Sequence, residues 1–589
     1  MAEDRLNNIT IRLAGEAGQG VDTGGAGFAK ALANAGLWVF TTSEFMSRIR
    51  GGLNFYQIRI ADHPLYSHVE SVNLLLAFTE EAISEYVGTV VPGGGVIYDQ
   101  GLKVREEMVA RNGVQAFPMP LVKIAQEVGG NRIMMNTAAL GAAAGVTELP
   151  FEFIAEIIQR NFQRKGDAVA EANLKVAEAG YRYAREQYAP RFPWKLLPRS
   201  TSRPRLMMTG NQAIGLGALA AGCRFISAYP MTPASSIMEW IAAHAAKYRV
   251  VVKQTEDEIA AITMAIGAAF MGVRAMTATS GGGFSLMVEA LGLAGMAEIP
   301  VVIVEAQRPG PSTGMPTKTE QGDLLFVLHA SQGEFPRIVL APGTVEQCFW
   351  TMIRAFNLAE KYQCPVIVLT DNYMAFQART VLRQDFDYTR VEIDRGALLT
   401  AEELERLEGP YLRYKITDSG ISPRALPGHP KAVFQACSDE HDEYGHFEDE
   451  DAENRLKMQS KRMRKLQTAL AEMRPPEVYG PEDPEVTFLT WGTTYGPVRE
   501  TVDILNGRGV RARMLHFVDI WPFPREAVLP LLEHGGRLVA VENNGTGQFA
   551  HLLRAMTGRQ VDDLILRFDG RPLSPDYILR KFEEARIHA

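Results

Sequence analysis

Short apolar strands alternate with helix-forming segments along most of this chain. The first example is a strand over residues 8–14, followed by a glycine-rich turn over residues 15–20 and a helix over residues 26–35. The same order recurs from residue 206 and again from residue 486. Because strands that alternate with helices pair into largely parallel sheets, the pattern predicts an α/β fold with several doubly wound parallel-sheet domains.

Two interruptions of this pattern divide the 589-residue chain. Residues 189–204 contain four prolines, which remove backbone donors and indicate a linker. Residues 439–453 contain nine carboxylates and residues 455–465 contain six cations, which indicates an acidic loop followed by an amphipathic helix. The expected domains and connections are 1–190, a linker over 191–205, 206–385, a charged connector over 386–480, and 481–589.

The net charge and the cysteines exclude several classes of protein. Lys and Arg number 61 against 69 Asp and Glu, so the formal net charge of -8 gives no overall attraction for nucleic acid or an anionic membrane. None of the 4 Cys form a CxxC pair, which excludes a disulfide framework and a cysteine-ligated cluster held by this chain alone. Since no signal-peptide pattern and no apolar run of about 18 residues is present, we expect a cytoplasmic protein.

Two glycine-containing segments of the first domain are candidate phosphate sites. Residues 15–20 (GEAGQG) follow a strand, where backbone amides can approach a phosphate, although a tight turn explains the same glycines. Arg48 and Arg50 lie beside the glycine pair of SEFMSRIRGG. Arginine binds phosphate well, and a solvated surface turn is the alternative.

Residues 229–233 (YPMTP) directly follow a predicted strand. Two prolines lock the backbone on either side of Thr232. A rigid hydroxyl at the carboxyl end of a parallel strand is well placed to meet a ligand. The alternative interpretation is that the prolines simply end the strand.

Three acids lie where a predicted strand passes into a helix, in the segment KQTEDEIAAI. Glu256 and Asp257 can cap that helix. Glu258 leads the almost wholly apolar run IAAITMAIGAAF, where an unpaired carboxylate is costly. A ligand nitrogen would serve as its partner, and a purely structural partner remains the alternative.

A loop of unusual composition, QRPGPSTGMPT, follows the apolar strand predicted over residues 301–306. It combines the guanidinium of Arg308 with the hydroxyls of Ser312 and Thr313 on a rigid Pro/Gly backbone. That combination suits binding of a carboxylate or another oxyanion, and a plain surface loop is the alternative.

The histidines carry less information. His441 and His446 lie among carboxylates, which permits a metal site but more simply indicates a solvated acidic loop. His329 lies near the Arg308 loop, and we favour a buried core histidine over a catalytic one.

Together these motifs resemble the alpha subunit of 2-oxoacid:ferredoxin oxidoreductases. The residues that carry the resemblance are GNQAIGLGALAAG, YPMTPAS, QTEDEIAAITMAIGAAFMG, TATSGGGFSLM and QRPGPSTGMPTKTEQGDL. Residues 1–190 resemble the gamma domain of the family through GEAGQG and SEFMSRIRGG, here fused ahead of the alpha part. The fusion and the segment SDEHDEYGH are most similar to the 2-oxoglutarate members.

The resemblance implies thiamine diphosphate chemistry. Residues 206–385 would be the pyrimidine-binding domain, and residues 481–589 a transketolase C-terminal-like domain used in assembly. In the family a glutamate hydrogen-bonds N1′ of the pyrimidine; Glu258 is the best match, with Glu256 as the fallback. The other implied residues are Tyr229, Pro230 and Ser280 for the cofactor, and Thr232, Arg308, Ser312 and Thr313 for the substrate's 2-oxo carboxylate.

The resemblance also implies partners. Diphosphate domains of the family carry a GDG motif with a downstream Asn, whereas this chain has Gly322-Asp323-Leu324. A beta subunit is therefore expected to supply the Mg²⁺ and diphosphate ligands and a [4Fe–4S] cluster, with no metal site in this chain. The implied assembly is a heterotetramer of two alpha–beta pairs that reduces ferredoxin, with coenzyme A held near Arg48 and Arg50.

The expected reaction converts 2-oxoglutarate and coenzyme A to succinyl-CoA and CO₂, with electrons passing to ferredoxin. In reverse it fixes CO₂, as in a reductive TCA cycle. A pyruvate- or indolepyruvate-type member is one alternative. A non-catalytic nucleotide-binding scaffold of a redox complex, based on GEAGQG alone, is the alternative from another class.

Overall fold

The computed structural model describes residues 5–46, 52–104, 106–110, 113–201 and 203–587. The chain divides into two compact units. The first contains Met1–Met208, Phe376–Asp385 and Ser574–Asp576, and the second contains Thr209–Ala375, Phe386–Leu573 and Tyr577–Ala589. In the described part of the chain, no helix is long and apolar enough to cross a membrane.

The first unit is built on a mixed sheet. Its described strands are β1 (Ile9–Glu16), β2 (Trp38–Glu44), β3 (Leu53–Ala61), β4 (Val72–Ala77), β5 (Val90–Asp99), β6 (Gln115–Met119), β7 (Arg205–Thr209) and β14 (Ala378–Leu382). Their order is β6-β5-β4-β1-β3-β2-β14-β7. Strands β6, β5, β4 and β1 are parallel neighbours, whereas β1, β3, β2 and β14 are antiparallel neighbours. Because β2 passes to β3 through a short connection, these two strands pair as a hairpin.

Helices cover the first sheet. They are α1 (Val21–Asn34), α2 (Glu80–Tyr86), α3 (Glu106–Val109), α4 (Leu121–Gly129), α5 (Met135–Val146), α6 (Phe151–Phe162) and α7 (Asp167–Gln187). Helices α5 and α7 approach closely because Gly141 and Gly180 have no side chain. A Cβ at Gly141 would collide with the Ala177 carbonyl, and a Cβ at Gly180 with the Ala138 carbonyl.

The second unit contains a sheet that carries the candidate site. Its described strands are β8 (Phe225–Ala228), β9 (Val251–Gln254), β10 (Ala275–Thr279), β11 (Val301–Gln307), β12 (Ile338–Leu340), β13 (Pro365–Asp371) and β18 (Asp519–Trp521). Their order is β18-β12-β13-β11-β10-β8-β9, parallel throughout except for the edge strand β18. Its helices are α8 (Gly210–Ala220), α9 (Ser235–Tyr248), α10 (Glu258–Phe270), α11 (Gly281–Met296), α12 (Leu324–His329), α13 (Val345–Tyr362) and α14 (Asn372–Phe376).

A third sheet, also in the second unit, contains β15 (Glu477–Tyr479), β16 (Val486–Trp491), β17 (Ala512–Phe517), β19 (Arg537–Glu542) and β20 (Asp563–Leu566) in the order β15-β17-β16-β19-β20. It is parallel except for β15. The remaining helices are α15 (Ala401–Glu405), α16 (Ala452–Leu470), α17 (Tyr495–Gly507), α18 (Arg525–Glu533), α19 (Gln548–Thr557) and α20 (Pro575–Ile587). We call the third sheet with α17–α20 the C-terminal sheet domain.

The charged connector contributes helix α16, as the sequence predicts. Its packing differs from a solvated amphipathic helix, because cations lie on its buried side. Lys461 and Lys465 each place Nζ 2.5 Å from a carboxylate oxygen of Glu298, and all three side chains are almost wholly buried. A buried carboxylate between two ammonium groups is compensated, so the connector is anchored to the second unit.

The three sheets confirm the predicted α/β fold class. Residues 281–283 form the first turn of α11, because Ser280 supplies an extended N-cap and the helix begins directly after it. Strand β14 joins the sheet of the first unit, and residues 376–385 are grouped with that unit.

Candidate active site

The candidate site lies at the carboxyl ends of three neighbouring parallel strands. Strand β8 ends just before Tyr229, β10 just before Ser280 and β11 just before Arg308. These strands are adjacent in the order β11-β10-β8. Ligands of open α/β sheets bind at this edge, so three predicted motifs that are distant in sequence come together.

Glu258 is the first residue of α10, and Asp257 is the N-cap, accepting a hydrogen bond from the Ala260 amide at 2.7 Å. The Glu258 side chain is buried, with the residue 3% exposed, and its Oε1 atom has no hydrogen-bond partner among the described residues. Burial raises the pKa of Glu258, and the charge of Asp257 raises it further. A buried acceptor without a donor is costly, which indicates that a ligand supplies the donor.

The amino end of α11 lies against Glu258. A Cβ built on Gly283 would lie 2.5 Å from Glu258 Oε1, so only glycine permits this approach. Ser280, at the N-cap, is fully buried, and its hydroxyl has no hydrogen-bond partner among the described residues. A carboxylate oxygen and a hydroxyl, both buried and both unpartnered, therefore lie at the same helix end.

Thr232 and Arg308 are brought into contact. Arg308 Nη1 donates to the Thr232 carbonyl at 2.8 Å, which ties the YPMTP turn to the loop after β11. Burial lowers the pKa of Arg308, and the charge of nearby Asp323 opposes that change. The same loop approaches α11, because a Cβ on Gly282 would lie 3.8 Å from the Ser312 carbonyl oxygen.

The other predicted residues are distributed unevenly. Tyr229 and Pro230 are exposed beside the site, and Ser312 and Thr313 are exposed on the loop. Glu256 is exposed, in contrast to Glu258. Arg48 and Arg50 lie outside the described residues.

A group of buried carboxyls next to the site was missed by sequence reasoning. Glu305 of β11 is fully buried, and the group facing it is the carboxyl of Asp323, which hydrogen-bonds it only if the two share a proton. Burial raises the pKa of Asp323 to about 6 and that of Glu305 well above its usual value. Asp371, at the end of β13, is also buried with its pKa raised to about 6, although the Thr493 hydroxyl donates to it. The usable signal was the single carboxylate inside the apolar strand VVIVEAQ.

The histidine predictions are mostly wrong. His329 is exposed, since it lies at the last turn of α12 with its ring turned back to the Leu325 carbonyl. His441 is fully buried against the Tyr414 ring instead of solvated, whereas His446 is exposed as expected. Across the described residues, no group of three or more His, Cys, Asp or Glu side chains could hold a metal ion.

Three domain families match this chain. Residues 10–183 match "Pyruvate ferredoxin/flavodoxin oxidoreductase" and residues 216–461 match "Pyruvate flavodoxin/ferredoxin oxidoreductase, thiamine diP-bdg". Residues 478–577 match "Transketolase, C-terminal domain". The second match contains the whole candidate site.

Similar proteins match this chain over nearly its full length. The 2-oxoacid:ferredoxin oxidoreductase subunit alpha of a Sulfolobus species is 34% identical over 98% of this chain and 96% of that protein. The 2-oxoglutarate oxidoreductase subunit KorA of Mycobacterium tuberculosis is 30% identical over 93% of this chain and 87% of that protein. The structure of 2-oxoglutarate:ferredoxin oxidoreductase from Magnetococcus marinus, with 2-oxoglutarate, coenzyme A and succinyl-CoA bound, is 34% identical and has a TM-score of 0.92. That match covers 98% of this chain and 99% of the solved one.

Proposed function

Because this chain belongs to the 2-oxoacid:ferredoxin oxidoreductases, as their alpha subunit, we propose that Glu258 binds the pyrimidine ring of thiamine diphosphate and that 2-oxoglutarate is the substrate. With coenzyme A, the reaction would yield succinyl-CoA and CO₂ and pass electrons to ferredoxin. Its reverse would fix CO₂. Membership of a family of oxidoreductase subunits favours this function over a non-catalytic scaffold.

The observation that carries the proposal is the buried Oε1 of Glu258, which has no hydrogen-bond partner in the described part of the chain. It fits a heterocycle whose ring nitrogen shares a proton with a carboxyl group, and the raised pKa of Glu258 keeps that proton available. The Ser280 hydroxyl, also unpartnered, and the exposed Tyr229 and Pro230 would border the ring. When bound, thiamine diphosphate supplies the electron sink that a 2-oxoacid needs to lose CO₂.

The substrate carboxylate would be held by Arg308, with Thr232 beside it and Ser312 and Thr313 on the same loop. Arg308 presents a forked set of donors that matches a carboxylate, and its contact with the Thr232 carbonyl fixes the guanidinium in place. The Mycobacterium tuberculosis and Magnetococcus marinus relatives support 2-oxoglutarate as the substrate. A pyruvate- or indolepyruvate-type specificity remains the alternative, and turnover rates with the three 2-oxoacids at equal concentration distinguish them.

We also propose a beta subunit that completes the cofactor site and holds Mg²⁺ and a [4Fe–4S] cluster. Helix α10 is apolar all round, yet Ile259 is 50% exposed next to Glu258, and Leu286 of the neighbouring α11 is 51% exposed. Helices of this composition are normally covered on every side. Since the exposed apolar face (Ile259, Met264 and Leu286) adjoins the half-built site, we assign it to that subunit.

The remaining predictions stay proposals. We propose that coenzyme A contacts Arg48 and Arg50. We also propose that two alpha–beta pairs form a dimer and that the chain divides into domains at residues 190, 205, 385 and 480. A cytoplasmic location is supported by four cysteines that are all free thiols. Cell fractionation would test the location, and native mass measurement of the complex would test the stoichiometry.

The Glu258→Gln substitution tests the catalytic assignment. It keeps the size of the side chain but removes the ionisable group, so we expect turnover to fall by at least about a thousandfold while the complex still assembles. Glu256→Gln is the matched control, because Glu256 is an exposed carboxylate two residues away. Near-normal turnover of Glu258→Gln would contradict the assignment, and loss of turnover only in Glu256→Gln would transfer it to Glu256.

A further inference from the structure

The loop that carries Arg308 is held mainly at its two ends. We call residues 308–323 the substrate loop; it runs from the end of β11 to the start of α12. Its middle, residues 310–315, is exposed, and glycine and proline supply few side-chain contacts there. A loop with little buried surface opens locally at low cost, so the contacts at its ends determine where Arg308 and its neighbours lie.

The carboxyl end of the substrate loop is bound to the C-terminal sheet domain by Gln321. The Gln321 amide donates to the Asn543 carbonyl at 2.7 Å, and the Asn543 amide donates back to Gln321 Oε1 at 3.0 Å. Gln321 Nε2 donates to the Trp491 carbonyl at 2.9 Å, and Asn544 Nδ2 donates to the Gln321 carbonyl at 3.1 Å. Gln321 is fully buried, so water cannot reach its polar groups, and losing any of these bonds would leave a buried group without a partner.

A second glutamine, Gln548, spans the two sides of Asp323. Gln548 is the first residue of α19, and its Nε2 donates to the Gly322 carbonyl at 2.6 Å. Its Oε1 accepts from the Leu325 amide at 3.0 Å. One side-chain amide therefore holds the backbone immediately before and after Asp323.

Asp323 in turn lies next to several residues of the candidate site. Its carboxyl faces that of Glu305, and it lies within electrostatic reach of Arg308. A Cβ on Gly281, the first residue of α11, would collide with Asp323 Oδ2. The Asp323 amide donates to Gln307 Oε1 at 3.0 Å, which closes the base of the loop.

We propose that Gln321 and Gln548 are positioning residues through which the C-terminal sheet domain holds Asp323, and with it the substrate loop and the start of α11, in the geometry that binds the 2-oxoacid. The proposal rests on the proposed role of Arg308. It gives the C-terminal sheet domain a part in substrate binding in addition to assembly. Displacements of about 0.5–1 Å suffice to weaken a preorganised site, and hydrogen bonds to the backbone on both sides of Asp323 oppose them.

Gln548→Met is the informative variant. It removes both hydrogen bonds of Gln548. Because methionine keeps the length of the side chain and the position is partly exposed, the chain should still fold. Two lost bonds predict a KM for 2-oxoglutarate about tenfold higher, with kcat within about twofold of the original enzyme. Asn173→Ala is the matched control, because Asn173 is a buried amide of the first unit with one donated and one accepted bond, and its KM should not change.

A double-mutant cycle separates positioning from general destabilisation. If Gln548 acts through Asp323, the KM effect of Gln548→Met should largely disappear in an Asp323→Asn background, because both changes break the same connection. Additive effects on KM, or an unchanged KM in Gln548→Met, would overturn the proposal.

Amide hydrogen exchange of the full chain gives a readout that needs no turnover. Peptides covering residues 308–323 should exchange faster in Gln548→Met than in the unmodified chain. In Asn173→Ala the same peptides should exchange at the rate of the unmodified chain. Unchanged exchange would overturn the proposal even if KM rises. If the unmodified complex has no activity with any 2-oxoacid, the proposed function fails, and the exchange measurement still decides whether Gln548 holds the loop.

Discussion

At the scale of single residues, the unusual feature is the set of acids placed away from water. Glu258 and Glu305 are buried and Asp323 is half-buried, and each has a raised pKa because burial disfavours the charged form. For Glu258 the missing partner is the pyrimidine ring in our proposal. For Glu305, whose two carboxyl oxygens have no hydrogen-bond partner among the described residues, the neighbouring acid Asp323 raises the pKa further.

Asp323→Asn should change how stability depends on pH. The pKa of Asp323 is about 6 in the folded chain against 3.8 when free, so the folded state binds more protons between these values and stability falls as pH rises through them. The asparagine variant lacks this loss, so from about pH 4 to above pH 6 its stability should gain on the order of 2 kcal/mol relative to the unmodified chain. Thermal unfolding of the full chain at several pH values measures this difference.

Asp569→Asn is the control with the opposite sign. Burial raises the pKa of Asp569, but hydrogen bonds and charge from Arg567 outweigh that and bring it below its usual value. Asp569 therefore stabilises the fold above its unfolded pKa, and its replacement should cost stability as pH rises. A parallel pH dependence in the two variants would contradict the interpretation of Asp323.

At the scale of elements, glycines decide how closely α10 and α11 approach each other. Gly283 lies where the first turn of α11 meets Glu258 and Thr279, and any side chain there would enter the space of the carboxylate. Among the described residues outside its own stretch of helix, Gly267 in α10 has no atom within 4 Å of a built Cβ. The same residue type therefore serves packing at one position and has no contact at the other.

Gly283→Ala should lower turnover, whereas Gly267→Ala should raise the stability of the chain. The methyl group at position 283 would displace Glu258, so we expect turnover to fall by about a hundredfold or more, as for other misplacements of reacting groups. At position 267, alanine should stabilise the isolated chain by about 0.5–1 kcal/mol, because it lowers the entropy cost of helix formation. Kinetics of the complex and thermal unfolding of the chain test the pair, and normal turnover of Gly283→Ala would refute the contact.

At the scale of the second unit as a whole, parts distant in sequence complete one another. Strand β18, from the C-terminal region, adds an antiparallel edge to the sheet that carries the site. The middle of the connector helix α16 and the carboxyl end of the substrate loop are held by buried polar contacts. What this unit leaves unfinished is the apolar face beside Glu258, which we assign to the beta subunit.

Leu286→Lys should separate the complex without unfolding the chain. A lysine in an apolar interface must lose its hydration, whereas on the free surface the substitution changes stability by only about 0.5 kcal/mol. We expect the co-expressed beta subunit to be lost during purification while the thermal midpoint of the chain alone is kept. Val433→Lys, at a position that is 79% exposed, is the control and should retain the partner. If Leu286→Lys instead dissociates a dimer of this chain, the face binds a second copy and our assignment fails.

The sequence by itself determined the order of strands and helices, the three motifs at strand ends and the buried position of Glu258. These features are local: apolar periodicity, prolines after a strand and an acid at the start of an apolar helix are readable within a dozen residues. Only the tertiary structure decided that Asp323 meets Glu305, that β14 returns to the first sheet and that His441 is buried. Those outcomes depend on which distant segments pair, and pairing is settled by packing and chain closure, which leave no periodic trace in the sequence.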